Sequence, residues 1–210
     1  MIECTKLVNS WFNSNTYILA HKAYPDVWVI DPGDIQPIFK WMKSNNKTKV
    51  TGILLTHAHF DHIYGINPIL LQYPNCVIYV ANEIGKELLH DAKKNSSYYS
   101  EMESVSIYQD ADVRHYEGDM ILWPKVKMEI IHTPGHSEDS VCLILNEMLF
   151  TGDTLIKDTR TVTKLRGGSV EKLEETIALL KSYKGKGLYI YPGHGESFPF
   201  DHYDLIKMSR

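Results

Sequence analysis

Short apolar stretches recur along most of the chain, some alternating with polar residues and some continuous, and this pattern is typical of β-strands. Polar turns separate them, as at Asp31-Pro32-Gly33-Asp34. We predict strands at residues 2–8, 16–20, 27–30, 50–55, 76–80, 113–116, 120–123, 126–131, 141–145, 148–150 and 188–191.

Apolar residues at helical spacing mark four further segments. The first follows the turn at 31–34, with Asp34 as its predicted N-cap, and the second follows residue 62. The third begins after the predicted N-cap Asn82, and the fourth begins at Ser169. Because strands occur both in meanders and in alternation with helices, we predict an α/β fold of two sheets covered by outer helices. A length of 210 residues suits one domain or two small ones, and we favour a single domain over residues 1–210.

The strand predicted at 50–55 leads into a dense group of metal-binding side chains, namely His57, His59, Asp61 and His62. Imidazole nitrogens and carboxylate oxygens are common ligands of divalent metals. Residues two apart on a strand share a face, so we expect His57 and His59 to bind one ion together. Asp61 and His62 come where the chain turns into the next helix, and we expect them to face a second ion.

Three later strands end in tight turns that carry a histidine or an aspartate. His136 and His194 each follow a Pro-Gly pair, and Asp153 follows Thr-Gly. Strand ends that meet at one edge of a sheet are where sites form in α/β proteins. The donors now total five histidines and two aspartates, which is more than one tetrahedral zinc ion can use. The set suits two metal ions that share a carboxylate.

Composition and charge narrow the classes of partner. The formal net charge is −4 at pH 7, which gives no electrostatic reason to expect nucleic acid. No apolar run approaches the roughly 20 residues that a membrane span needs, and the N-terminus shows no secretory signal. The three scattered cysteines are typical of reduced thiols. We therefore expect a cytoplasmic protein that acts on a small molecule, without nucleic-acid or membrane partners; a homo-oligomer is possible.

Taken together, four motifs resemble those of the metallo-β-lactamase-fold hydrolases, most closely their glyoxalase II-like (hydroxyacylglutathione hydrolase-like) branch. They read Thr-His57-Ala-His59-Phe-Asp61-His62, Thr-Pro-Gly-His136-Ser, Thr-Gly-Asp153-Thr and Pro-Gly-His194-Gly, and the strand end Asp31-Pro-Gly matches as well. The resemblance runs from about residue 10 to residue 195. It implies a four-layer αββα sandwich of two mixed β-sheets flanked by helices.

The resemblance also implies roles for the seven donors. The first metal ion would be held by His57, His59 and His136, the second by Asp61, His62 and His194, and Asp153 would bridge the two. Asp61 would also orient the nucleophile. Two Zn²⁺ ions per chain are expected, with iron or manganese as other candidates.

Two metal ions of this kind point to a hydrolase, and the resemblance implies that it cleaves carbonyl ester-type bonds, with a thioester as the expected substrate class. They lower the pKa of a shared water, so that a metal-bound hydroxide is present near neutral pH and attacks the carbonyl carbon. Glyoxalase II enzymes carry a helical C-terminal extension that helps to bind glutathione. Only residues 196–210 follow His194 and its glycine, so we expect no such extension here.

The loop after Asp153 departs from the family that the chain resembles. Many relatives have a Gly-Arg-Thr-Asp segment where this chain reads Thr161-Val162-Thr163-Lys164. The cations Arg160, Lys164 and Arg166 of this loop either meet an anionic substrate or are solvated surface charges.

Two other functions stay open. A persulfide dioxygenase uses the same fold with one iron, held by the equivalents of His57, His136 and Asp153. Its last motif tends to read Pro-Ala-His-Asp, whereas this chain has Pro-Gly-His194-Gly. The alternative of another class is a non-catalytic metal-binding module; structural zinc sites are closed and favour cysteine, whereas seven N and O donors around two ions leave room for water.

Overall fold

The computed structural model describes residues 1–101 and 103–205, and the chain divides into two compact units, Met1–His115 and Tyr116–Arg210. Each unit contains one six-stranded sheet; among the described residues, three α-helices belong to the first unit and one belongs to the second. Two mixed sheets with flanking helices confirm the predicted fold class. A single domain over the whole chain stays a prediction.

The sheet of the first unit has the strand order β1-β2-β3-β4-β5-β6. Neighbours from β1 to β3 are antiparallel, and neighbours from β3 to β6 are parallel. The strands are Ile2–Val8 (β1), Asn15–His21 (β2), Asp26–Ile30 (β3), Lys49–Leu54 (β4), Val77–Val80 (β5) and Val113–His115 (β6).

Three α-helices flank this sheet: Ile35–Ser44 (α1), Ile66–Gln72 (α2) and Glu83–His90 (α3). Asn82 caps α3 as predicted, because its side chain accepts a hydrogen bond from the Gly85 N–H. Asp34 occupies the N-cap position of α1, but its side chain makes no capping hydrogen bond. The helix predicted directly after residue 62 begins at Ile66, because a single 3₁₀ turn, Phe60–His62, precedes it.

β4 lies inside the parallel part of the sheet and leads to the histidine segment. Val50, Ile53 and Leu54 are fully buried, as expected for a strand that is covered on both faces. Gly52 lets β4 pack closely on β3, because a Cβ atom at this position would lie 2.4 Å from Cζ3 of Trp28. The end of β4 is therefore held by the core of the first unit.

The sheet of the second unit has the order β12-β11-β10-β9-β8-β7, in which only β10 and β11 pair in parallel. The helix α4 begins after Ser169, whose side chain accepts a hydrogen bond from the Lys172 N–H. The short strand β12 was not predicted. The elements are Met120–Trp123 (β7), Val126–His132 (β8), Val141–Leu145 (β9), Met148–Gly152 (β10), Val170–Lys181 (α4), Tyr189–Pro192 (β11) and Phe198–Pro199 (β12).

Among the described residues, none of the helices combines the length and the apolar character required to cross a membrane.

Candidate metal centre

The first unit brings four of the predicted donors together just after β4. His57, His59, Asp61 and His62 are between 0 and 9% exposed. The ring centroid of His57 lies 4.8 Å from that of His59 and 4.3 Å from that of His62. His62 Nε2 is 3.6 Å from a carboxylate oxygen of Asp61. Buried imidazoles this close to each other and to a carboxylate form one polar cluster inside an otherwise apolar unit.

The strand geometry predicted for His57 and His59 is wrong. β4 ends at Leu54, so both histidines lie beyond the strand, and His59 directly precedes the 3₁₀ turn Phe60–His62. Their rings approach edge to face instead of projecting side by side from a pleated strand. The close approach of the two side chains therefore comes from the irregular segment, which no period-two pattern describes.

Asp31 organises this cluster from the end of β3. Its carboxylate accepts hydrogen bonds from the Thr56 N–H at 2.8 Å, from the Thr56 hydroxyl at 2.6 Å and from His62 Nδ1 at 3.0 Å. Asp31 is 2% exposed and has a φ of 49°, in the left-handed region that aspartate tolerates better than most residues. Because Nδ1 of His62 donates to a carboxylate, a metal would be bound through Nε2.

Thr56 fixes the tautomer of His57 in the same way. Its hydroxyl donates its single proton to Asp31, so the contact of 3.2 Å with His57 Nδ1 requires the hydroxyl to accept. Nδ1 of His57 is therefore protonated, and the lone pair of the ring is on Nε2. The sequence had matched Asp31 to a family strand end, but it gave neither Asp31 nor Thr56 a role.

The second unit brings together the other three donors, His136, Asp153 and His194. One carboxylate oxygen of Asp153 lies 3.7 Å from His136 Nε2 and 3.5 Å from His194 Nε2. Nδ1 of His136 contacts the main-chain carbonyl of Val162 at 2.9 Å, and a carbonyl can only accept. His136 is therefore also protonated on Nδ1, which leaves Nε2 as the metal-binding nitrogen.

The ends of β10 and β11 place Asp153 and His194 side by side. The two strands are parallel, so their carboxyl ends meet at the same edge of the sheet. The Gly193 N–H donates to the Gly152 carbonyl at 2.8 Å, directly before His194 and Asp153. Gly152 has a φ of 47°, which glycine adopts readily. The predicted arrangement of strand ends thus brings these two donors together.

The donor set fits divalent metal ions. All seven predicted donors are among the side chains that could hold a metal ion, although their ligation of one stays a prediction. Imidazole and carboxylate donors suit zinc, iron and manganese. The three cysteines are free thiols, and burial raises the pKa of each to about 12, so they are poor candidates for thiolate ligands.

The loop between β10 and α4 carries the cations noted in the sequence. Arg160, Lys164 and Arg166 are exposed, and none forms an ion pair with another described residue. The loop is nevertheless anchored, because the buried Thr161 hydroxyl donates to the Thr154 carbonyl at 2.7 Å and Val162 contacts His136. These cations therefore lie on an ordered loop that contacts a predicted metal ligand.

The profile of the metallo-beta-lactamase superfamily matches residues 10–194, a range that includes all seven donors. The chain belongs to this superfamily. Membership agrees with the resemblance inferred from the motifs, and it accounts for donors that follow successive strand ends.

Within the metallo-beta-lactamase superfamily, the chain is 27% identical over 176 residues to a hydroxyacylglutathione hydrolase of Pseudoalteromonas translucida. The match covers 84% of this chain and 59% of that relative, so the chain spans about three fifths of its length. Among solved structures, the BLEG-1 B3 metallo-beta-lactamase is 25% identical with a TM-score of 0.82, covering 95% of this chain and 94% of that one. TTHA1623 in a di-iron-bound form has the same fold, with a TM-score of 0.75, 22% identity, and 93% and 94% coverage.

Proposed function

We propose that the protein is a dinuclear metal-dependent hydrolase of carbonyl ester-type bonds, with a thioester as its preferred substrate class. The observation that carries this proposal is the fixed tautomer of three histidines. His57, His62 and His136 each contact an oxygen through Nδ1, so that Nε2 carries the lone pair that a metal needs. Buried histidines with a purely structural role need no such common tautomer.

The proposed ligand sets follow the family pattern. One ion is assigned to His57, His59 and His136, the other to Asp61, His62 and His194, with Asp153 between them. The contacts within each unit support this assignment, since Asp153 lies beside both His136 and His194 and Asp61 lies beside His62. Two zinc ions are proposed, and iron and manganese are the other candidates; a solved structure of the same fold is di-iron-bound.

When bound, two such ions would supply a water of lowered pKa and polarise the carbonyl oxygen of the substrate. The residues of the chain then have separate tasks. Asp31 and the Val162 carbonyl keep His62 and His136 in the required orientation. Asp61, which is 9% exposed, would accept a hydrogen bond from the attacking water and orient it.

A thioester is easier to cleave by this chemistry than an amide. A thiol has an ordinary pKa near 8.5, so the thiolate leaves near neutral pH with little need for a proton donor. An amide nitrogen must be protonated as it leaves. The name of the Pseudoalteromonas relative, a hydroxyacylglutathione hydrolase, supports the same class.

The test is a hydrolysis panel on protein of known metal content, with thioesters, lactones, β-lactams and phosphodiesters. We expect two metal equivalents and fastest turnover of thioesters. Asp153→Ala should lose metal and turnover together, whereas Asp119→Asn, which removes a surface ion pair with Lys127, should keep both. Full activity in metal-free Asp153→Ala protein would overturn the proposal.

The same panel separates the alternatives. One iron equivalent with oxygen uptake on glutathione persulfide would identify a dioxygenase instead. Tight binding of two metals without turnover of any substrate in the panel would favour a non-catalytic metal-binding module. The BLEG-1 likeness makes the β-lactam arm informative, since preferential β-lactam turnover would replace the thioester as the substrate class.

A further inference from the structure

A buried polar bridge connects the first hairpin to the segments that carry Asp31 and Asp61. Its three side chains, Asn9, Ser14 and Thr16, are at most 2% exposed. They come from the turn between β1 and β2 and from the start of β2. None of them belongs to the predicted metal ligands, and no role was predicted for them.

One end of the bridge reaches the metal-binding segment. The Ser14 hydroxyl donates to the main-chain carbonyl of Asp61 at 2.8 Å, and it accepts from Asn9 Nδ2 at 3.0 Å. Both contacts are buried. If the Ser14 hydroxyl were removed, the Asp61 carbonyl and the Asn9 amide would each lose a hydrogen bond that water does not replace. Ser14 therefore ties the backbone of Asp61 to the hairpin.

The other end reaches the turn after β3. Asn9 Nδ2 also donates to the Thr16 hydroxyl at 3.1 Å, and that hydroxyl donates to the Asp31 carbonyl at 2.8 Å. The Gly33 N–H donates to Thr16 at 2.9 Å, and the Asp34 N–H donates to Asn9 Oδ1 at 3.0 Å. Both N–H groups and the oxygen of the Asn9 amide take part in this arrangement, and the Thr16 hydroxyl donates once and accepts twice.

The packing around Asn9 leaves it little freedom. A Cβ atom at Gly33 would lie 2.3 Å from Cγ of Asn9, so the turn after β3 closes directly on the amide. The Asn9 N–H also donates to the Ser14 carbonyl at 2.8 Å across the hairpin turn. Because the amide is held on both sides, it keeps the two segments that it joins at a fixed distance from each other.

We infer that Asn9 and Ser14 are positioning residues that fix Asp61 relative to Asp31, and thereby set the geometry of the proposed metal site formed with His62. This inference rests on the proposed function. Asp31 orients the ring of His62, and Asp61 lies 3.6 Å from the same ring. The bridge therefore holds the two carboxylates on either side of one metal-binding histidine.

The test uses metal-depleted full-length protein titrated with Zn²⁺ against a chromophoric chelator. The Zn²⁺ equivalent assigned to Asp61, His62 and His194 is called the second equivalent. We expect Ser14→Ala to weaken its binding by about tenfold, and to leave the other equivalent within about twofold of wild type. Thr51→Ala is the matched control, because it deletes a hydroxyl that contacts Asp26 in the same unit. It should bind both equivalents like wild type. If Ser14→Ala binds both equivalents with wild-type affinity, the inference is overturned.

A second variant covers the case in which Ser14→Ala fails to fold. Asn9 Nδ2 donates to the Ser14 hydroxyl, so Asn9→Ala should also weaken the second equivalent. If Ser14→Ala does fold, the double variant should lose less than the product of the two factors. Ser14→Thr retains the hydroxyl and should restore binding toward wild type. Loss of both equivalents together in Asn9→Ala would indicate a merely structural role and would overturn the inference.

The titration contains no substrate, so it separates this inference from the proposed function. Wild-type protein that binds two equivalents but cleaves no thioester would overturn the proposed function and leave the positioning role testable in the same way. Active wild-type protein whose second site is indifferent to Ser14 would overturn the positioning role alone.

Discussion

The carboxylate of Asp31 accepts three hydrogen bonds from Thr56 and His62, although it is not among the predicted metal ligands. It stands in a left-handed conformation at the end of β3, an arrangement that costs backbone energy and persists where surrounding contacts enforce it. A carboxylate behind a metal-binding imidazole fixes the ring and makes its other nitrogen a better ligand. At the scale of single residues, the proposed site therefore depends on side chains outside the predicted ligand set.

Asp31→Ala should weaken metal binding, because His62 then loses the acceptor that orients its ring. We expect a loss of about 10- to 100-fold in affinity for the equivalent that His62 binds, measured by Zn²⁺ titration against a chelator. Asp26→Ala is the matched control at the opposite end of β3, where Asp26 accepts from the Thr51 hydroxyl. Unchanged affinity in Asp31→Ala would contradict the role assigned to this carboxylate.

The seven donors could be predicted from the sequence because each follows a strand end within a short motif. The groups that orient them could not be predicted in this way, because those contacts join distant positions. Asp31 contacts residues 25 and 31 positions away, and Ser14 contacts Asp61 across 47 positions. Hydrophobic patterning predicts local elements and gives no information on such pairs.

At the scale of elements, the pairing of β3 with β4 depends on a glycine, which has no side chain, in β4. Gly52 faces the indole of Trp28, and the register of the two strands shifts between Val27 and Trp28. This close contact fixes the position of β4, the strand that leads to the histidine segment. The sequence predicted both strands, but a period-two pattern does not show which position must be glycine, because that depends on the neighbouring strand.

Gly52→Ala should destabilise the protein by about 1–3 kcal/mol, because the added Cβ would overlap the Trp28 ring. The free energy of unfolding is measured by urea denaturation. Trp28→Leu removes the ring, so the double variant should cost less than the sum of the two single changes. Additive costs would show that the two side chains do not compete for the same space.

The loop between β10 and α4 combines exposed cations with a backbone that contacts His136. If the substrate is anionic, the double variant Arg160→Gln/Lys164→Gln should raise KM for a carboxylate-bearing thioester about tenfold and leave kcat within twofold, with the difference shrinking at high salt. Lys181→Gln, an exposed cation on α4, is the control. If the variant has the same KM as wild type for the anionic thioester, as for a neutral one, the cations are solvated surface charges.

At the scale of the whole molecule, each compact unit has its own apolar core, and both contain thiols that burial keeps protonated. Cys4 and Cys76 belong to the first unit and Cys142 to the second, and burial raises the pKa of each from 9.0 to about 12. The folded chain therefore holds these protons at a pH where the unfolded chain releases them.

This difference predicts a loss of stability in alkaline solution. Below about pH 9 the thiols are protonated in both states, and their contribution to the free energy of unfolding is constant. Between about pH 9 and 12 the unfolded chain binds fewer protons than the folded one, so the free energy of unfolding falls as the pH rises.

Urea midpoints at about pH 8 and 11, under reducing conditions, measure this fall. The double variant Cys76→Ala/Cys142→Ala should show a smaller fall than wild type, whereas Val80→Ala, a buried residue that does not titrate, should show the wild-type fall. An identical fall in the cysteine variant would mean that the buried thiols do not drive it.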